Sequence, residues 1–318
     1  MREKRPVLSW IIPALAAVWL VLCHIAPYLP GTNPLGIVFG MAPPMLLVAP
    51  PILALIALTT RVVLHRNPKR DALLGLAILL ATVPLLSLQW GRPQKGKGVS
   101  VMTFNVNKDS RKMPGLLDYL LNHETDVVFL QENKGSASSP ANFLKKGLPG
   151  WHMVSAGEVA ILSRWPIENV RAVPMRSQTT RILLTAEIAG PRRFRALTVH
   201  WSVPQFGKGL RSMRNGAVHQ ESDYQQTLDL IRGDDLPLLL GGDFNNPPRH
   251  ALTRKLSNRL ENCFSTCGSG IGLSYPSRNP YTRIDHFYVN RGFETLGAQV
   301  GPDLGSDHLP LLAKIAFR

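Results

Sequence analysis

The sequence predicts an α+β domain, a mixed sheet system flanked by helices, set behind three helices that cross a membrane. Three observations carry this. Polarity changes sharply near residue 98, and three apolar runs without Asp, Glu, Lys or Arg precede that point. Beyond it, strand-like segments outnumber helical ones, and several follow one another with no helix between. The remaining stretch, about 220 residues, is enough for one large core.

The apolar runs occupy residues 7–26, 35–58 and 72–90, so residues 1–90 form the predicted membrane region. Each is close to the ~20 residues a helix needs to cross ~30 Å of hydrocarbon. The first follows the basic tail MREKR as a signal peptide would, but it ends in HIAPYLPG without a small-residue cleavage pattern, and two more runs follow. Pro43, Pro44, Pro50 and Pro51 would kink the middle span, which neighbouring helices tolerate in lipid. Arg2, Lys4 and Arg5 in the tail and Arg61, Arg66, Lys69 and Arg70 in the second loop place seven basic residues on one side, against Arg92, Lys95 and Lys97 on the other. That bias puts the N-terminus in the cytoplasm and residues 99–318 outside it, in an integral membrane protein whose partners include the bilayer. No protein partner is indicated.

The net charge of +15 suggests nucleic acid until it is divided. Residues 1–98 hold 10 basic and 2 acidic residues, so +8 flanks the spans and +7 remains on the exported part. A mildly basic domain suits an anionic ligand without specifying DNA. Cys23 lies in a span; Cys263 and Cys267 are close enough to pair in an oxidising compartment or to stay free.

GRPQKGKG, residues 91–98, reads as a linker into VSVMTFNVN, a strand by its alternation. A helix follows at 114–123, then strands DVVFLQE, VAILSR, RILLTAEIAG and FRALTVHWS. A helix at 223–232 precedes LPLLLGGDFN, another runs over about 250–260, and RIDHFYVN and HLPLLAKIAF close the chain as strands.

Six motifs read as apolar strands ending with residues that strands disfavour: Asn105 and Asn107, Glu132, His200, Asp243 and Asn245, Asp285, and Asp307 with His308. Gathered together they make a pocket for a hard cation and a phosphate. Glu132, Asp307 and the carbonyl of Asn107 are oxygen ligands of the kind Mg²⁺ prefers, with Mn²⁺ a workable substitute. His308 held by Asp285 suits general base work or phosphate stabilisation, and Asp243 with Asn245 suits orientation of an attacking water.

This set resembles the endonuclease/exonuclease/phosphatase superfamily, the DNase-like fold, in TFNVN, QE, VAILSRWPI, GGDFN, RIDH and SDH, in the family's order over about residues 99–318. The resemblance implies a four-layer α/β/β/α sandwich. It implies metal ligation by Asn107, Glu132 and Asp307, phosphate binding by Asn105 and Asn245, and contact from His200. Asp243 would position or activate the nucleophilic water, and His308 paired with Asp285 would complete the acid/base machinery. Many members carry an acid where Asn107 stands, so metal affinity should be weakened.

Residues 205–220 (QFGKGLRSMRNGAVHQ) read as a basic loop, in which Lys208, Arg211 and Arg214 would grip substrate or simply face solvent. Trp201 would stack on a base or meet lipid. Gly241 and Gly242 would let backbone and ligand approach, or serve only as turn residues. Asp109, Asp126, His123, His152 and His250 have no chemical company and read as surface or packing residues. The expected activity is metal-dependent hydrolysis of a phosphate ester by in-line attack of water, on nucleic acid or on a lipid-linked phosphate. A catalytically silent binding module that keeps the fold is the alternative.

Overall fold

In the computed structural model, the described residues are 8–63, 68–108, 113–133, 139–233 and 235–318. Val7, Arg2, Lys4, Arg5, Arg66 and Asp109 lie outside them. The chain divides into two compact units, Met1–Leu88 with Arg249–Ala251, and Gln89–Pro248 with Leu252–Arg318.

The first unit holds helices α1 (Leu8–Ile25), α2 (Pro34–Met41), α3 (Pro44–Val63) and α4 (Pro68–Thr82). The middle predicted span is therefore two helices. Ala42 takes an extended backbone (φ −61°, ψ 133°), as the residue before a proline prefers, and the chain turns there. Trp10–Tyr28 and Pro44–Val63 are long and apolar enough to cross a bilayer, so among the described residues two such helices stand where three were expected. The third predicted span, 72–90, fails because α4 stops after 15 residues. A 3-10 turn containing Pro84 follows at Val83–Leu86, and Gln89–Trp90 is already extended. Leu15, Val18, Leu46, Leu53, Ile56, Leu73 and Leu80 are exposed on these helices, an apolar exterior that suits lipid. Arg61 Nε donates to the fully buried Asp71 at 2.9 Å.

The second unit runs β1 (Gln89–Trp90), β2 (Val99–Asn105), α5 (Met113–Asn122), β3 (Val127–Gln131), α6 (Pro140–Gly147), β4 (His152–Ala156), β5 (Val159–Ser163), β6 (Ile167–Pro174), β7 (Ile182–Ala189) and β8 (Arg193–His200). It continues through α7 (Gly209–Ile231), β9 (Leu238–Asp243), α8 (Ala251–Ser257), β10 (Glu261–Asn262), α9 (Cys263–Cys267), β11 (Ser269–Gly270), β12 (Asp285–Val289), β13 (Phe293–Val300) and β14 (Leu311–Phe317). One six-stranded sheet has the order β13-β14-β2-β3-β5-β4 and the other β10-β12-β9-β8-β7-β6; β1 and β11 form a short ribbon.

Strands buried on both faces explain the near-continuous apolar runs. In β2, Val99 and Val101 face the other sheet, while Met102 and Phe104 face α5 and α6. In β9, Leu239 faces inward, while Leu238 and Leu240 meet Tyr224 and Leu228 of α7 and Leu252 and Leu256 of α8. The facing sheets share Phe129, Phe194, Phe287 and Phe293. The result is four layers, helix, sheet, sheet, helix.

Two expectations change here. A Cβ on Gly241 would stand 2.4 Å from the Phe287 ring, and one on Gly242 (φ 149°) would stand 2.0 Å from the Val199 carbonyl oxygen. Both glycines lie inside β9 and not in a turn, and sheet packing keeps them small. The helix expected at 223–232 begins at Gly209, so most of 205–220 is helix and not loop. Gly216 weakens helix propensity but lets α7 press onto the backbone of Val203–Gln205, where a Cβ would meet Gln205 N at 3.1 Å. Cys263 and Cys267 are free and buried in α9.

Candidate active site

β2–β3 and β8–β9 are the parallel pairs among the described strands, one in the middle of each sheet. Each delivers polar residues at its C-terminal end: Asn105 level with Gln131, and His200 level with Asp243. The antiparallel β12 and β14 then begin where these end. Asp285 pairs in register with Asp243. Ahead of β14, Ser306 Oγ donates to the Asn105 carbonyl at 2.7 Å and places Asp307 and His308 beside β2.

Asp243 is the centre. Its Oδ2 accepts from Asn105 Nδ2 at 3.0 Å and lies 3.7 Å from Nε2 of both His200 and His308. Its Oδ1 accepts from the Asn245 backbone N–H at 2.8 Å, and Asn245 Nδ2 donates to the Trp201 carbonyl at 2.9 Å. Each imidazole has a carboxylate behind it. His308 Nδ1 is 3.0 Å from Asp285 Oδ2, which also accepts from Ser274 Oγ at 2.6 Å. His200 Nδ1 is 3.0 Å from Glu158 Oε1. The hydrogen-bonded carboxylate on His308 Nδ1 fixes its tautomer, while Glu158 stands against His200 Nδ1 as a charge partner without hydrogen-bond geometry; both rings turn Nε2 inward, toward Asp243.

Burial works against charge on His308, but Asp285, Asp243 and Asp307 outweigh it and lift its pKa to about 9. Burial likewise favours a neutral Glu158, yet His200, Arg181 and Lys108 draw it below the usual carboxylate range. Tyr275, tilted against His308 at 4.7 Å between ring centroids, is pushed up by burial and by Asp307, Asp243 and Glu132.

The backbone is strained here. Asn107 (φ 48°), Lys108 (57°), Glu132 (56°) and Asn245 (50°) are left-handed without being glycine. Asn tolerates this region, whereas for Glu132 it is a departure, and such residues persist where the surroundings over-determine them, commonly at functional sites.

The structure thus brings Asn105, Glu132, His200, Asp243, Asn245, Asp285 and His308 into one network. Glu132 Oε1 is 3.5 Å from Asn105 Nδ2 and 4.0 Å from His200 Nε2. Asn107 joins through its backbone N–H, which donates to Asn105 Oδ1 at 3.0 Å. Asp307 Oδ1 accepts from Ser306 Oγ at 3.3 Å. Lys208, Arg211 and Arg214 are exposed in and before α7, and none makes a hydrogen bond or ion pair with these residues among those described. Trp201 is fully buried; its indole N–H donates to Thr227 Oγ1 at 3.1 Å and its ring meets Phe244 edge-on. It neither stacks on a base nor meets lipid, because it plugs the space between the strand ends and α7.

Glu158, Ser274, Ser306 and Arg181, whose guanidinium donates to the His200 carbonyl at 3.0 Å, were not anticipated. Glu158 had a usable signal: it stands directly before β5, as Asp285 opens β12.

The donor chemistry fits a divalent cation. Asp243, Asp285 and His308 offer ligand atoms within 4.8 Å of one another, but Asp285 and His308 already engage each other. Glu132 holds a positive charge in the structure, the Lys108 ammonium at 3.2 Å from Oε2. Carboxylate and amide oxygens around it suit a hard ion.

Two facing sheets with acids, amides and paired imidazoles at one edge define a hydrolase of phosphate esters. The chain belongs to the endonuclease/exonuclease/phosphatase family, whose model matches residues 102–308. No curated protein sequence matches it. Among solved structures, a 3'-5' exonuclease from Neisseria meningitidis is 20% identical with a TM-score of 0.57, over 69% of this chain and 100% of that one. A mannosyl-6-phosphatase from Bacteroides thetaiotaomicron is 19% identical with a TM-score of 0.55, over the same shares. The catalytic domain of human Nocturnin is 14% identical with a TM-score of 0.53, over 70% of this chain and 95% of that one. The fold is DNase-like.

Proposed function

We propose that the chain is a membrane-anchored, divalent-metal-dependent phosphoesterase that cleaves its substrate by in-line attack of water. One observation carries this reading: Asp243 is flanked at 3.7 Å by two imidazoles, each backed by a carboxylate at 3.0 Å. Glu132, Asp307 and Asn107 would hold Mg²⁺, or Mn²⁺ in its place, and the ion would neutralise charge on the phosphoryl oxygens and leaving group. Asp243, oriented by Asn105 and the Asn245 N–H, accepts a hydrogen bond from the nucleophilic water and aims it at phosphorus. His308 stays protonated beside Asp285 and donates from Nε2 to the phosphate. His200, with Glu158 against its Nδ1, contacts the phosphate from the other side, and Asn105 and Asn245 orient the phosphate.

Both ester classes have support. The Neisseria neighbour is described as a 3'-5' exonuclease and as a 3' phosphatase with a product DNA hairpin, and the Bacteroides one as a mannosyl-6-phosphatase. The test is to purify the full chain in detergent and offer oligonucleotides, a sugar phosphate and phospholipids, with EDTA and with Mg²⁺ restored. Hydrolysis that EDTA stops, Mg²⁺ restores and Asp243→Asn abolishes is expected. Hydrolysis indifferent to Asp243→Asn, or none on any substrate, overturns the reading.

We place residues 1–90 in the membrane as an anchor, 91–98 as a linker and 99–318 as the catalytic domain, with the N-terminus cytoplasmic and the catalytic domain outside the cytoplasm. That sidedness rests on the bias of basic residues; two crossings alone would return the catalytic domain to the side of the N-terminus. A reporter fused to the C-terminus decides it: activity confined to a cytoplasmic reporter refutes the placement.

A further inference from the structure

Residues 203–218 carry an apolar and basic surface that hydrolysis leaves unused. Val203, Phe206, Leu210 and Val218 are large apolar side chains left exposed, Leu210 to 68% and Phe206 to 51%. Lys208, Arg211 and Arg214 are interleaved with them, exposed, and paired with no carboxylate among the described residues. Along α7, Leu210, Arg211, Arg214 and Val218 share one face by helical spacing, alongside the buried stripe of Met213, Gly216, Ala217 and Gln220. Such a face fits the boundary of a bilayer, aliphatic groups entering the acyl region while cations meet anionic headgroups. A nucleic acid would match the three cations and could stack on Phe206, but it offers nothing to Val203, Leu210 and Val218.

The surface is fastened to the active site. Gln220 Nε2 donates to the Ser202 carbonyl at 2.7 Å and reaches the Asn245 carbonyl at 3.4 Å. Ser212 Oγ donates to Gln205 Oε1 at 2.9 Å, and Gly216 seats on the 203–205 backbone. The exposed segment therefore leaves directly from the loop that holds Asn245. A bilayer is at hand, because the same chain has two helices apolar and long enough to span one.

We infer that this face docks on an anionic lipid surface and that the adjoining site takes a phosphate ester borne by a membrane lipid. The substrate half rests on the phosphoesterase reading; the docking half does not.

The test reconstitutes the full chain, with Leu210→Cys carrying an environment-sensitive fluorophore, into phosphatidylcholine vesicles with or without phosphatidylglycerol. Cys23, Cys263 and Cys267 are buried and do not compete for the label. Quenching by doxyl lipid in phosphatidylglycerol vesicles is expected, weakened at least tenfold when Lys208, Arg211 and Arg214 are all changed to Glu. Equal quenching by aqueous iodide in both vesicles and in detergent overturns docking, as does protection by a DNA oligonucleotide but not by vesicles. In parallel, Phe206→Asp with Leu210→Asp should lower hydrolysis of bilayer phospholipid about tenfold. It should leave a soluble nitrophenyl phosphodiester unaffected; an equal loss on both substrates overturns the substrate half. Lipid quenching without hydrolysis of any ester supports docking while removing the phosphoesterase reading, so the two failures are distinguishable.

Discussion

Glu158 and His200 meet at 3.0 Å across the gap between the two sheets, Glu158 from the turn before β5 and His200 from the end of β8. Asp285 and His308 bridge the same gap in the opposite sense, the acid on β12 and the imidazole ahead of β14. The site is thus a seam closed by two acid–imidazole pairs, and neither sheet alone contains it.

Glu158→Gln tests the first pair. A carboxyl depressed in the folded state contributes stability that is present above its unfolded pKa, near 4.5, and lost as pH falls through its folded value. The stability difference between wild type and variant should be full at neutral pH and shrink below about pH 4.5, read by denaturant unfolding at a series of pH values. A difference that does not change with pH would show that the pair is not ionic.

His308→Ala should lower hydrolysis by roughly 10²–10³-fold, the usual range for removing one donor to the charge that develops in the transition state. Asp285→Asn acts through His308, so the double variant should be little worse than His308→Ala alone. Additive losses in kcat would separate the two residues.

Asn107→Asp should strengthen Mg²⁺ binding, by about tenfold if one added negative charge supplies roughly 1.4 kcal/mol in a partly buried site. The left-handed backbone at 107 accepts Asp as readily as Asn. The half-saturating Mg²⁺ concentration for hydrolysis is the measurement, and an unchanged value would remove Asn107 from the metal site.

Gly241→Ala should destabilise the catalytic domain by about 1–3 kcal/mol through overpacking against Phe287. Gly242→Ala should do more, since its Cβ would meet the β8 backbone, which cannot rotate away. Thermal unfolding of the full chain in detergent would rank them, and equal melting temperatures would refute the packing role.

The strand ends were legible because a polar residue closing an apolar run has few reasons to be there. Asn105, Glu132, His200 and Asp243 were found that way; Asp285 and His308 were read as strand ends too, but Asp285 opens β12 and His308 stands ahead of β14. Glu158 was not found, since only strand exits were weighed in that part of the chain and Glu158 sits at an entry. α7 was misread as a loop because its glycines lower local helix propensity, while the close packing of Gly216 that repays it is a tertiary effect. The third span was overcounted because a window of apolar composition ignores where Pro84 and the 3-10 turn end the helix.

The amide of Gln220, which spans the carbonyls of Ser202 and Asn245, makes α7 and the two loops beneath it a single lever. A force that tilts the outer turn of that helix is felt at Asn245, the residue we propose orients the phosphate. Whatever rests against the protein's surface there is mechanically coupled to its chemistry.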